Sequence, residues 1–333
     1  MASYYSKAAQ HVKKELASAI VAEDIRALHR IRPWRHFLIV LRQFCLLAAT
    51  TVGLIYIHNP LLWIPIALAQ GFTIFNFTVL LHEVVHNAVF VPGKTVRLWN
   101  RIFGLVYAFP SGISASQFTR WHLDHHAGLG SPTEDPKRFH LSPKVNKRLV
   151  KFLYFTPALF FIYFRAAAQE TGTYPEPLQK TIKRERLLTI LFQLSLAALC
   201  YLLGGNGVLL RVYVVPVFCV FPIAFALNRL GQHYNIRPSD PAQWSTLVKS
   251  SWFWNFWFLY SNFHLEHHYF PGVPFYNLAK VHRLLQPFYA ARCMKAYSYG
   301  ELLYRYLILN EAPHTDWQPV AQNGATVLAA AGQ

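Results

Sequence analysis

Two apolar runs, residues 37–57 and 61–81, are separated by only His58, Asn59 and Pro60. A bilayer core takes about 20 residues of helix to cross, so each run is long enough to span and the pair reads as a hairpin. A second pair follows at 187–203 and 208–227, joined by Gly204, Gly205, Asn206 and Gly207. Backbone polar groups find no water inside hydrocarbon, so spans of this kind are helical. The expected fold is an all-α integral membrane protein with four transmembrane helices in two hairpins. Pro216 and Pro222 predict a kink in the fourth span. The remaining chain is expected to form a cytoplasmic helical cap, with interfacial helices at 102–113 and 152–164 and an aromatic interfacial stretch at 252–263.

Composition supports a membrane chain. Of 333 residues, 53% are hydrophobic and only 14% are charged, against roughly 25% charged in an average soluble domain. The net charge is +17, but Lys and Arg flank the apolar runs rather than forming one block. That pattern fits anionic lipid better than nucleic acid. The far-side turns carry almost no charge, so the positive-inside rule puts both termini in the cytoplasm, at a bacterial inner membrane or an endoplasmic reticulum. Three regions follow: an N-terminal cytoplasmic amphipathic segment (1–36), a membrane domain (37–290) and a C-terminal cytoplasmic tail (291–333), loose from His314 onward. The polar start predicts no cleavable signal peptide. The cysteines Cys45, Cys200, Cys219 and Cys293 lack metal-site spacing and read as small hydrophobes.

Nine of the sixteen histidines fall in a pattern. His82 and His86 frame HEVVH. His122, His125 and His126 lie in HLDHH, and His264, His267 and His268 in HLEHH. His233 follows the fourth span. On a helix, positions i, i+3 and i+4 share a face, so each cluster is able to aim two or three imidazoles at one point. All fall on the same predicted side of the membrane. Neutral imidazole is the commonest protein metal ligand, and eight or nine co-facial histidines suffice for two ions. Each cluster also carries a carboxylate, Glu83, Asp124 or Glu266. These are expected to accept the second N–H of ligating histidines and fix their orientation. The other histidines (His11, His29, His36, His58, His140, His282 and His314) read as ordinary buried or interfacial groups.

HEVVH, HLDHH and HLEHH, in that order and split by two membrane hairpins, resemble the boxes of the integral-membrane fatty acid desaturase superfamily, which also contains acyl hydroxylases and carotenoid ring oxygenases. EHHYFPGVPFYNL resembles the surroundings of that superfamily's third box. The likeness covers roughly residues 35–290. It implies a non-haem di-iron centre with O2 as co-substrate. The eight box histidines would be iron ligands and His233 the ninth, with Asn228 or Asn262 as a water-mediated contact. It also implies a lipid acyl-chain substrate and electrons from a separate protein, a ferredoxin or cytochrome b5, because no fused HPGG-like haem segment is expected here.

The chemistry agrees. Taking hydrogen from an unactivated methylene needs redox chemistry that zinc lacks, whereas imidazole ligands suit iron and copper. The substrate needs a dry tunnel, for which Phe118 and Trp121 are candidates. HEVVH also matches the HExxH zinc protease motif, but the third and fourth spans offer no acidic ligand and seven histidines would go unused. A transporter would place its ionisable residues near mid-membrane. The expected activity is desaturation of an acyl chain, with lipid hydroxylation or carotenoid oxygenation as the alternatives within the same superfamily.

Overall fold

A computed structural model describes residues 3–131 and 133–312. Among these residues every regular element is helical, and the only strand-like pairing is an isolated bridge between Val248 and Tyr297. Three helical stretches are long and apolar enough to cross a membrane: Pro33–Tyr56, Pro60–Val85 and Glu176–His233. Together with the family established below, they make this an integral membrane protein.

The turn between the first two stretches is built by local chemistry. Asn59 accepts the Leu61 N–H at 3.0 Å, and Pro60 takes the first helical position, where a missing N–H costs nothing. The second stretch runs four residues past the expected end at 81, because nothing in Leu81-His82-Glu83 interrupts the helix. The first histidine pair therefore sits on the end of a spanning helix. This helix is the central one: 61% of its apolar window is buried in the protein, against 22% for Pro33–Tyr56.

The third stretch folds back on itself. Gly204 and Gly205 leave helical geometry, and Gly205 sits at φ 61°, ψ −155°, a region closed to side chains bearing a Cβ. The arms then pack together, with the Tyr213 hydroxyl donating to Gln193 Oε1 at 2.9 Å. The returning arm is wound loosely, as a π-helix, over Leu209–Val220 around Pro216. It approaches the central helix at backbone distance: a Cβ on Gly71 would lie 2.4 Å from Val220. Gln70 Nε2 donates to the Val212 carbonyl nearby at 2.6 Å. Arg211 satisfies the terminal carbonyls of the first helix, donating to Leu54 at 2.8 Å and Ile55 at 3.2 Å.

Shorter helices surround this frame, among them Val96–Ser111, Ala115–Gly128, Arg148–Leu153, Ala158–Thr171 and Trp252–Trp257. Several expose large apolar side chains, including Leu98, Trp99, Phe152, Phe161, Phe164 and Trp252. The N-terminal segment packs rather than trails. Val12, Leu16, Ile20 and Leu28 are buried, and Glu15 pairs with Arg292 at 2.7 Å.

The expected boundary at 290 does not mark the end of packing. Tyr297 exchanges backbone hydrogen bonds with Leu247 and Lys249, and Tyr299, Leu302 and Tyr306 are buried. Tyr299 lies against Gly231, where a Cβ would meet its hydroxyl at 2.6 Å. The chain through 312 belongs to the body, and the loose tail expected from His314 lies outside the described residues.

Candidate metal centre

Four elements carry the histidines to one place. His82 is in the last turn of the central helix and His86 caps it. His122, His125 and His126 lie on Ala115–Gly128. Ser114 caps that helix by accepting the Gln117 N–H, and Glu185 receives the Ser116 N–H at 2.8 Å and both flanking hydroxyls at 2.6 Å. A buried carboxylate at a helix N-terminus is a favourable charge–dipole pairing. His264, His267 and His268 lie on the short helix His264–Tyr269, entered through two left-handed residues, Leu259 and Tyr260. His233 ends the returning arm.

All nine pattern histidines converge, in two sets. His82, His86, His122, His126 and His267 form one; His125, His233, His264 and His268 form the other. Within each set the ring nitrogens lie within 4.8 Å of one another. Nε2–Nε2 separations include 2.8 Å for His86–His122, 3.1 Å for His126–His267, 3.0 Å for His125–His233 and 2.9 Å for His264–His233. Among the described residues, none of the histidines set aside from the pattern joins either set; His314 lies outside them.

The far sides of the rings show what orients them. His125 Nδ1 donates to Asp135 Oδ1 at 2.8 Å, and His233 Nδ1 donates to the Trp244 carbonyl at 3.0 Å. His122 Nδ1 meets the Lys137 amine at 2.8 Å. Glu83 Oε1 is 3.4 Å from His82 Nδ1, and its other oxygen accepts the Phe275 N–H at 2.9 Å.

Burial holds the imidazoles neutral. It pushes His125 down to about 4 in spite of Asp135. Burial and mutual repulsion hold His122, His126, His264, His267 and His268 well below the usual range. Burial alone would raise Asp135, but His125 and the Arg138 N–H outweigh it and hold the carboxyl below its ordinary value.

Two of the expected carboxylate roles are corrected. Asp124 Oδ2 accepts from Arg120 at 2.8 Å at the half-exposed outer face and supports no histidine of the sets. Glu266 is buried, but it accepts from Tyr289 at 2.7 Å and His282 at 2.5 Å, so it seats its helix rather than orienting a ligand. Neighbours in sequence on a helix point in different directions, so adjacency to a histidine did not place either carboxylate behind a ring. The contacts absent from the sequence reading lie beyond the clusters: Asp135 and the Trp244 carbonyl in loops, and Lys137 at the start of the short helix Lys137–Leu141. The Asp-Pro step at 135–136 was the one available signal, since it marks a turn able to aim a carboxylate back at the preceding helix.

A cavity opens beside the histidines. Its wall includes His82, His122, His264 and His267, with Phe75, Val79, Phe225 and Leu278. Phe118 and Trp121 also line it, and Phe118 stacks on His122 with centroids 5.8 Å apart. Asn228 lines it too, but its amide is engaged by Ser261 at 2.5 Å and Gln232 at 2.6 Å. Asn262 donates to Asn255 at 2.9 Å, and its buried Oδ1 has no partner.

An all-helical membrane frame with converging histidines beside an apolar cavity defines a class, and comparison with known proteins names it. Residues 57–300 match the fatty acid desaturase family profile, and the chain belongs to that family. It is 26% identical to a sphingolipid delta(4)-desaturase of Xenopus tropicalis over 64% of this chain and 62% of that protein. It is 28% identical to the human sphingolipid delta(4)-desaturase over 73% of each chain. It is 27% identical to a human sphingolipid delta(4)-desaturase/C4-monooxygenase, over 64% of this chain and 62% of that protein. The match thus spans somewhat under two thirds of some of these relatives.

Proposed function

We propose that this chain is a four-crossing membrane di-iron oxidoreductase that introduces a double bond into the acyl chain of a lipid. It would use O2 and two electrons from a separate ferredoxin or cytochrome b5, with both termini on the cytoplasmic side. One observation carries the metal reading. The ring hydrogens of His125 and His233 are committed outward, to a carboxylate and to a carbonyl that only accepts. Their inward Nε2 atoms, 3.0 Å apart, therefore both present lone pairs. Two acceptors at that distance repel, and a cation between them removes the repulsion.

The donor set fits iron: all-imidazole, in two groups of five and four, the four fully buried and the five partly so. The five-histidine group would hold one ion and the four-histidine group the other. When bound, the iron pair would supply O2 activation and hydrogen withdrawal from an unactivated methylene. The protein's own part is to orient the rings through Asp135, Glu83 and the Trp244 carbonyl. Phe118, Trp121 and their neighbours would hold an alkyl chain against the histidines and keep water away.

Hydroxylation is the second reading, favoured by the monooxygenase in one relative's name. A sphingolipid is the substrate class that the relatives suggest. Mass spectrometry of total lipids from a host expressing the chain, beside His268→Ala, tests all three points. Chains lighter by two hydrogens indicate desaturation, and chains heavier by one oxygen indicate hydroxylation. The lipid class in which the change appears identifies the substrate. An unchanged lipid profile in a host supplied with donor and sphingolipid would count against the proposal.

A further inference from the structure

The cavity wall contains a cation that the oxidation chemistry does not require. Arg229 lines the main cavity and also the two smaller cavities that adjoin it. Its guanidinium has five N–H donors and no acceptor capacity, yet it makes no hydrogen bond to any described residue. The charge that acts on it most is Asp135. That carboxylate accepts through Oδ1 from His125 at 2.8 Å, from the Lys137 N–H at 3.0 Å and from the Arg138 N–H at 3.3 Å. The polar side chains next to Arg229 bond one another, Gln232 donating to Asn228 and Asn228 to Ser261. Glu83, the other carboxyl on the wall, is taken by the Phe275 N–H and His82.

Lys137 points the same way. It faces this cavity, and its amine rests on His122 Nδ1 at 2.8 Å. An imidazole that gives Nε2 to a metal carries its hydrogen on Nδ1 and no longer accepts there. With the site loaded, the Lys137 ammonium loses that acceptor and, like Arg229, faces the cavity with donors to place. Buried donors left without acceptors are costly, and a guanidinium fork matches a planar oxyanion with two parallel bonds.

We propose that the substrate enters with an oxyanionic head, a carboxylate or a phosphate, which binds the Arg229 guanidinium with help from Lys137. The proposal rests on the reading of the cavity as the lipid site. It has a consequence for position. Arg229 lies four residues before His233 on one helix, about 6 Å along its axis. A head held at Arg229 leaves only the first few carbons of the chain beside the histidines, so oxidation falls near the head rather than mid-chain.

The test is binding to the full-length chain in detergent, with its metal and after chelation, read by quenching of tryptophan fluorescence. The probes are palmitic acid, hexadecyl phosphate, hexadecanol and a neutral N-acyl sphingoid lipid. The chelated protein excludes direct ligation of a metal by the anion. The expected result is at least tenfold tighter binding of the acid or the phosphate than of the alcohol, in both forms. Arg229→Gln should abolish that preference, and Arg229→Lys should retain part of it. The ratio between acid and phosphate identifies which head fits.

Equal affinity for alcohol and acid in the unmodified chain overturns the proposal, as does a preference that survives Arg229→Gln. If that variant fails to fold, the probe comparison on the unmodified chain still decides. Tight binding and oxidation of the neutral sphingoid lipid alone would sink the oxyanion and leave the proposed oxidase standing. A chain that binds no alkyl probe and takes up no iron would sink both.

Discussion

Asp135 lies ten residues beyond His125 and accepts its Nδ1 hydrogen at 2.8 Å, with both side chains buried. The bond selects the tautomer that leaves Nε2 bare toward the other histidines. Asp135→Asn should therefore lower iron affinity by roughly 10–100-fold, read by chelator competition on purified protein. Asp124→Asn should leave affinity unchanged, because that carboxylate faces Arg120.

The division of the histidines predicts iron stoichiometry. His125→Ala removes a member of the four-histidine group and His267→Ala a member of the five-histidine group. Each should reduce bound iron from two ions toward one per chain, by elemental analysis, while the protein still inserts into membranes. Full iron content in both variants would contradict two separate groups.

Glu266 anchors the helix that carries the third cluster through Tyr289 and His282. Glu266→Gln keeps the shape and loses the charge. The expected cost is about 1.5–3 kcal/mol, seen as a lower unfolding midpoint in detergent. Affinity for iron in the folded fraction should change less than in Asp135→Asn.

Gly130 is at φ 84°, and a Cβ there would fall 2.1 Å from the Trp244 ring. Trp244 also supplies the carbonyl that orients His233. Gly130→Ala should destabilise the chain by about 1–3 kcal/mol and weaken iron in the four-histidine group first. Selective loss of one ion on mild chelation would show it.

Acid should unfold the metal-free chain early. Unfolded histidine titrates near 6.5, whereas folded His125 is held down to about 4. Between those values the unfolded chain carries more protons, so stability falls as pH falls through the window. The unfolding midpoint should be flat above about pH 7 and drop below about 6.5. A flat profile down to pH 5 would show that the imidazoles are not buried neutral.

The hairpin at 204–205 and the convergence of the nine histidines were legible because both follow from local pattern. Apolar run length sets a span, paired glycines break one, and i, i+3, i+4 spacing aims side chains together. The supports were not legible from the same rules. Asp135 and the Trp244 carbonyl reach the rings across loops, and nothing about loop direction is periodic. Arg229 was hidden by its own helix: next to Asn228 and His233, it reads as one more basic residue at a membrane face. The packing of 291–312 was missed because its anchor is a two-residue backbone exchange around Tyr297, too short to leave a strand pattern.

The pairing of Glu15 with Arg292 joins residues 277 positions apart. At about 5–20 residues per second, translation separates them by roughly 14–55 s. The helices over residues 4–28 are thus made well before Trp244, Gly272 and Arg292, against which Tyr5, His29 and Glu15 pack. Until then their apolar faces have only the membrane surface or a chaperone to lie on. Once seated, that segment closes over the third histidine cluster, where Tyr5 meets the His268 carbonyl at 3.5 Å.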